Sequence, residues 1–317
     1  MCSRKTRVVM SLLCLTAIGV FSRSSWILSV YRDSFPPRNS SLCACDKCLM
    51  EYDPWFSELM GASPEPFLSL RNNITEETFN WWKRIQYERR SFSFYNATVE
   101  KVFQMFPHSL NLIESNPDRC RTCAVVGNSG NLNGSRYGPL IDFHDVVIRI
   151  NRGRIKGYEK DVGTRTTHRV MYPNSATNLD NTTYLLLFPF KINDLQWLLK
   201  SFAPREKKAA DSGFIANKDL VVILSPAFMK YVHYVWLKRK GSYPSTGFMT
   251  LILSMHMCDE ISVFGFGADR YGNWNHYYEI LKNMRKNWKT GNHNGNHEYK
   301  IISKLYQQQK ITFFKGW

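Results

Sequence analysis

From Cys123 onward the chain is punctuated by seven short apolar runs: CAVVG, DVVIRIN, HRVMY, TYLLLF, LVVILS, ISVFGF and ITFFK. Several are unbroken Val/Ile/Leu stretches rather than alternating ones, the pattern of strands buried on both faces, as in a parallel sheet. Between them DLQWLLKSF, PAFMKYVHYVWL and TGFMTLILSMHM carry helical spacing, and the last puts Phe248, Leu251, Ile252 and Met255 on one stripe. Strands alternating with helices predict an α/β fold with a mainly parallel, seven-stranded sheet flanked by helices. Upstream, EETFNWWKRIQYERR and ATVEKVFQMF repeat apolar residues every three or four positions and predict helices covering one side of that sheet.

The N-terminus breaks this pattern. Arg4, Lys5 and Arg7 precede an apolar run from Val8 to Phe21, and apolar character resumes at Trp26, Ile27 and Val30. This predicts a cytoplasmic tail at 1–7, an uncleaved signal-anchor at 8–30 and a lumenal remainder, with a cleaved secretory signal as the alternative. Residues 31–42 are polar and proline-containing and predict a short stem, leaving 43–317 as the lumenal body.

That compartment changes the meaning of the cysteines. Cys43, Cys45, Cys48, Cys120, Cys123 and Cys258 form an even set, which in an oxidising lumen reads as disulfides, although C-x2-C spacing at 45–48 and 120–123 also suits zinc. Sequons at Asn39, Asn73, Asn96, Asn133 and Asn181 would be open to glycosylation there. The formal net charge of +16 fits nucleic acid, an anionic membrane surface or an acidic substrate. A lumenal chain meets no nucleic acid, so the charge points to the other two.

Candidate chemistry gathers in four places. CAVVG runs into GNSGNLNGSRYG, a strand-to-turn passage where backbone amides face a ligand. Its spacing is neither that of a dinucleotide fingerprint nor that of a P-loop, so a structural turn and a nucleotide cradle both stay open. Asn128 and Asn151 each follow a predicted strand, where ligands of open α/β sheets gather. In GSYPSTGFMTLILSMHMC, Ser245 or Thr246 caps a helix whose N-terminus suits an anion, with Tyr243 just upstream. No D-x-D occurs, which disfavours a divalent-metal reaction, and there is no G-x-S-x-G elbow. His276 in GNWNHYYE and His293 in KTGNHNGNHEYK are the acid-base candidates, because histidine titrates near neutral pH without help.

These segments, in this order, resemble the eukaryotic sialyltransferases, in particular β-galactoside α2,3-sialyltransferases acting on Galβ1,3GalNAc. The large sialylmotif resembles the stretch from CRTCAVVGNSGN to HRVMYP, the small one YPSTGFMTLILSMHMCDEISVFGFG, the third HYYE, and the very small one the H-x4-E of His293 to Glu298. The resemblance implies a Rossmann-like GT-A variant without a metal site, moving sialic acid from CMP-sialic acid to the 3-hydroxyl of galactose with inversion.

By the same resemblance His293 is the base and His276 bonds the phosphate of the leaving CMP. Asn128, Asn151 and Ser175 contact the nucleotide, Gly247, Gly265 and Gly267 line the donor pocket through their backbones, and Gln86 and Tyr243 bind the acceptor galactose. Cys43 pairs with Cys48, Cys45 with Cys120 and Cys123 with Cys258. The implied partners are CMP-sialic acid as donor substrate, a galactose-terminated glycoprotein or glycolipid acceptor, and the Golgi membrane, crossed once in type II orientation. The resemblance implies no metal and no other cofactor. Transfer of α2,6 linkage to GalNAc and a catalytically idle glycan-binding relative are the competing expectations. The chain departs from the family pattern in lacking an acceptor-side tyrosine between residues 201 and 220, and in having Asn294 where Asp is common.

Overall fold

The structure, a computed structural model, describes residues 44–45, 49, 53–107, 112, 118–203, 214–279 and 292–316. The predicted tail, anchor and stem, with Asn39, Cys43 and Cys48, lie outside the described residues. Before the sheet come helices α1 (Pro54–Gly61), α2 (Glu76–Ile85) and α3 (Phe92–Met105). They start at Asp53, Thr75 and Ser91, whose side chains each accept a first-turn N–H. The sheet region then runs β1 (Thr122–Val126), α4 (Gly138–Phe143), β2 (Val146–Ile150), α5 (Glu159–Val162), β3 (His168–Met171) and β4 (Tyr184–Leu187). It continues through α6 (Ile192–Phe202), β5 (Val221–Ile223), α7 (Pro226–Tyr231), α8 (Thr246–Met257), β6 (Glu260–Phe264), α9 (Gly295–Gln307) and β7 (Thr312–Phe314).

All seven apolar runs are strands, and every pairing is parallel. The order across the sheet is β5-β4-β3-β2-β1-β6-β7. Connections therefore travel outward from β1 to β5 and then return to the other side of β1, so the winding reverses between β1 and β6. The helix predicted from PAFMKYVHYVWL is two pieces: α7 and a π-helical turn at Val232–Trp236, after which Lys238 and Arg239 take left-handed φ values of 49° and 64°.

Burial on both faces follows from the unbroken apolar runs. In β1, Cys123 and Val125 belong to the large cluster under α1–α3 and α8, whereas Ala124 and Val126 join Leu132, Ile141 and Phe264 on the opposite face. Trp82 of α2 is fully buried, and its Nε1–H donates to Pro189 O at 2.9 Å, tying the helical layer to the loop beyond β4.

Cys45 is bonded to Cys120, and Cys123 to Cys258. The second bond joins the start of β1 to the residue ending α8 across 135 positions of sequence. Closing so long a loop in the unfolded chain removes much of its entropy. Replacing Cys123 and Cys258 together by Ala is expected to lower stability by about 2–4 kcal/mol, read as a shift of the denaturant midpoint. An unmoved midpoint would contradict a stapling role.

Candidate active site

In a parallel sheet all strands point their carboxyl ends to one side, and a reversal of winding leaves those ends uncovered by crossovers. A cavity of about 670 Å³ occupies that place here. Its floor is made by the residues that follow the strands: Gly127 and Asn128 after β1, Asn151 after β2, Tyr172 after β3, and Gly265 after β6. The ends of β1 and β6 approach closely, since a Cβ on Gly127 would lie 2.3 Å from Gly265 O, and Gly265 itself has φ 68°. Only glycine fits at both positions.

The two asparagines are held differently. Asn128 Nδ2 donates to Ile150 O at 3.0 Å, while its Oδ1 is buried with no hydrogen-bond partner among the described residues. Asn151 has φ 54°, and its Oδ1 accepts from Ser175 Oγ at 2.9 Å. Ser175 is buried behind Asn151 and does not line the cavity, so it orients Asn151 from behind. Gly247 and Gly267 do line the cavity, the first in the opening turn of α8.

Ser245 is the cap of α8: its Oγ accepts from Phe248 N–H at 3.0 Å. The N-terminus of that helix, at Thr246 and Gly247, opens on the cavity and offers it partial positive charge. Ser245 in turn donates its N–H to Glu298 Oε1 (2.8 Å) and its Oγ–H to Glu298 Oε2 (2.6 Å). Burial pushes the Glu298 carboxyl up to about 7, against those two bonds, which lower it. Glu298 therefore clamps the start of α8 to the first turn of α9, and it is Ser245, not His293, that it holds.

His293 lies just before α9, whose cap Asn294 accepts His297 N–H on Oδ1 at 3.1 Å. Asn serves this cap as well as Asp would. Nδ1 of His293 is 3.0 Å from the Tyr243 carbonyl oxygen, and the ring stands edge-on to the Tyr243 ring at 4.8 Å. A carbonyl only accepts, so Nδ1 carries the proton and Nε2 the lone pair. Burial lowers the imidazole below its ordinary value near 6.5, and the carbonyl bond partly restores it. A neutral ring of this tautomer is a base at neutral pH. Tyr243 also accepts at its hydroxyl from Gln86 Nε2 at 3.0 Å, so Gln86, Tyr243 and His293 form one wall.

His276 lines the cavity and bonds Glu279 Oε1 through Nδ1 at 2.8 Å, stacked at 5.2 Å on Tyr278. A backbone bridge to Ser129 fixes it against the turn after β1. The two acidic residues of the cavity wall are engaged: Glu298 by Ser245, and Asp194 by the Phe190 N–H at 2.8 Å. His276 and His293 line the same cavity, each engaged through Nδ1.

The cavity also contains Tyr172, Lys191 and Trp274, which the sequence reading did not single out. Lys191 places a cation beside the pocket. Its position a few residues beyond β4 is the signal that marks it, the same signal that marked Asn151 beyond β2. Asn133 and Asn181 are exposed, and Asn73 Nδ2 donates to Asn96 Oδ1 at 3.0 Å.

The family model described as glycosyltransferase family 29 (sialyltransferase) matches residues 67–310. The CMP-N-acetylneuraminate-beta-galactosamide-alpha-2,3-sialyltransferase 1 of Sus scrofa is 40% identical over 287 residues, 86% of this chain and 82% of that protein. The corresponding sialyltransferase 2 of Rattus norvegicus is 39% identical over 281 residues, 86% of this chain and 80% of that protein. The crystal structure of a mammalian sialyltransferase in complex with Gal-beta-1-3GalNAc-ortho-nitrophenol superposes with a TM-score of 0.76 at 39% identity, covering 87% of this chain and 100% of that one.

The Glu298 clamp has a pH signature. A carboxyl raised from 4.5 to about 7 on folding contributes stability that is complete below pH 4.5 and lost as pH rises through 7. Thermal melts should show this falling component in the wild type and not in Glu298→Gln. Glu298→Ala should destabilise by about 1–3 kcal/mol by leaving the Ser245 donors unpaired. Equal pH slopes for wild type and Glu298→Gln would refute the buried clamp.

Proposed function

The chain belongs to glycosyltransferase family 29, the sialyltransferases, and we propose that it transfers sialic acid from CMP-sialic acid to the 3-hydroxyl of galactose in Galβ1,3GalNAc, on O-glycans and glycolipids. The observation that carries this reading is the wall of Gln86, Tyr243 and His293 facing, in one cavity, the asparagines and the helix N-terminus. A sugar hydroxyl presented at the first group and a nucleotide phosphate at the second would meet between them.

In the proposed step the His293 Nε2 lone pair takes the proton of the galactose 3-hydroxyl. The oxygen attacks the anomeric carbon of sialic acid from the face opposite the phosphate, and the bond from that carbon to the phosphate oxygen breaks. The electron pair leaves on CMP, and the configuration inverts. The transition state is oxocarbenium-like: positive charge develops on the sialyl ring and negative charge on the departing phosphate. Two features support stabilisation there without a metal: the amide end of α8 at Thr246 and Gly247, and His276, which as an imidazolium donates Nδ1–H to Glu279 and offers Nε2–H to the phosphate. Asn128, with its unmatched buried Oδ1, and Asn151, braced by Ser175, are proposed to hold the nucleoside.

We also propose a Golgi type II arrangement, with the anchor at 8–30 and the body in the lumen. Supporting it are the cationic flank at Arg4, Lys5 and Arg7, the two disulfides and the exposed sequons at Asn133 and Asn181.

CMP release from CMP-sialic acid should depend on Galβ1,3GalNAc and fall by about 10²–10⁴-fold in His293→Ala, the usual contribution of a positioned acid-base group. Wild-type release no faster than that variant's would refute the reading. The base works as neutral imidazole, and burial depresses its pKa, so activity is lost only as pH falls below the ordinary histidine value near 6.5. The acid limb of kcat/KM should therefore lie below pH 6.5; a limb above it would contradict His293 as the base.

A further inference from the structure

Two arginines buried in the strands have no role in the proposed step. Arg149 on β2 and Arg169 on β3 are paired in register and are 1% and 6% exposed. Among the described residues neither forms a salt bridge. Arg169 Nη1 donates to Asn151 O (3.2 Å) and Gly153 O (3.1 Å), but its Nε is buried without a partner. Burial brings both guanidinium groups down to about 10, which leaves them cationic at neutral pH. Asp142 partly balances Arg149, but no described carboxylate forms an ion pair with Arg169, and a buried cation without such a partner is an electrostatic cost that an anion would relieve.

Arg169 reaches a second cavity, of about 620 Å³, whose wall also carries Arg152, Arg154, Lys156, Thr177 and Tyr278. Among the described residues no acidic side chain lines it. The carboxylates nearby are occupied: Glu159 Oε1 accepts from Gly157 N–H at 3.0 Å, Glu279 holds His276, and Asp142 accepts from Thr164 and Arg165. Four cations around one recess set the sign of its ligand, and guanidinium forks suit tetrahedral oxyanions.

We propose that this recess is an anion site for a phosphate- or sulfate-type group, seated on Arg169 between Arg152, Arg154 and Lys156. It is separate from the nucleotide pocket but coupled to it. Arg169 holds the carbonyl of Asn151, and Arg152 Nη2 donates to the carbonyl of Asn174, and both Asn151 and Asn174 line the first cavity. An anion here would brace the donor wall from behind. The anion has two sources, a free inorganic ion or an ester on the acceptor glycan.

Calorimetric titration into the CMP-saturated chain at constant ionic strength separates the sources and does not depend on transfer. The probes are inorganic sulfate and galactose 6-sulfate, with galactose as control. Saturable binding is expected, with Kd raised at least about tenfold in the double variant Arg154→Gln, Lys156→Gln, both exposed positions outside the catalytic wall. Equal affinity for the two probes assigns the site to the free anion, and tighter binding of the sulfated sugar assigns it to an acceptor-borne ester. Failure of both probes to saturate, or an unchanged Kd in the double variant, would overturn the proposal.

Discussion

The carboxyl ends of parallel strands all lie on one side of a sheet, and where the winding reverses no strand-to-strand crossover covers them. That constraint positions the residues that line the cavity. Because β6 returns to pair with β1 after β5 has closed the other edge, the residues following β1, β2, β3 and β6 surround one open crevice. Glycine at 127 and 265 lets the ends of β1 and β6 draw together, which keeps the floor of the crevice continuous.

Two helix N-termini meet at this crevice, those of α8 and α9, and both carry partial positive charge. Glu298 resolves the conflict by placing one buried carboxyl in the first turn of α9 and against the cap of α8. His293 follows from that arrangement. With α9 docked on Ser245, the residue before its cap is set beside the Tyr243 carbonyl, which fixes the imidazole tautomer. Gln86 reaches the same wall from the other layer, at the end of α2. Fold, clamp and the proposed base are thus one connected object.

The fold was readable because strands buried on both faces have to be continuously apolar, and TYLLLF and LVVILS leave no other economical interpretation. The strand-end asparagines and the α8 cap were readable for the same reason, once strands and helices were placed. The H-x4-E spacing marks Glu298 but not its partner, which is Ser245, a contact across 53 residues. Tyr172, Lys191 and Trp274 reach the cavity from loops, whose paths no periodicity encodes. Arg149 and Arg169 sit inside runs that otherwise read as core, and only the register of β2 against β3 shows that they face one another.

The central claim concerns which hydroxyl the His293 wall presents to the donor. It is tested most directly by linkage analysis of the sialylated product made on free Galβ1,3GalNAc with CMP-sialic acid. The account predicts sialic acid in α configuration on O3 of galactose. A product carrying sialic acid only on O6 of GalNAc, or one with retained configuration, would contradict it.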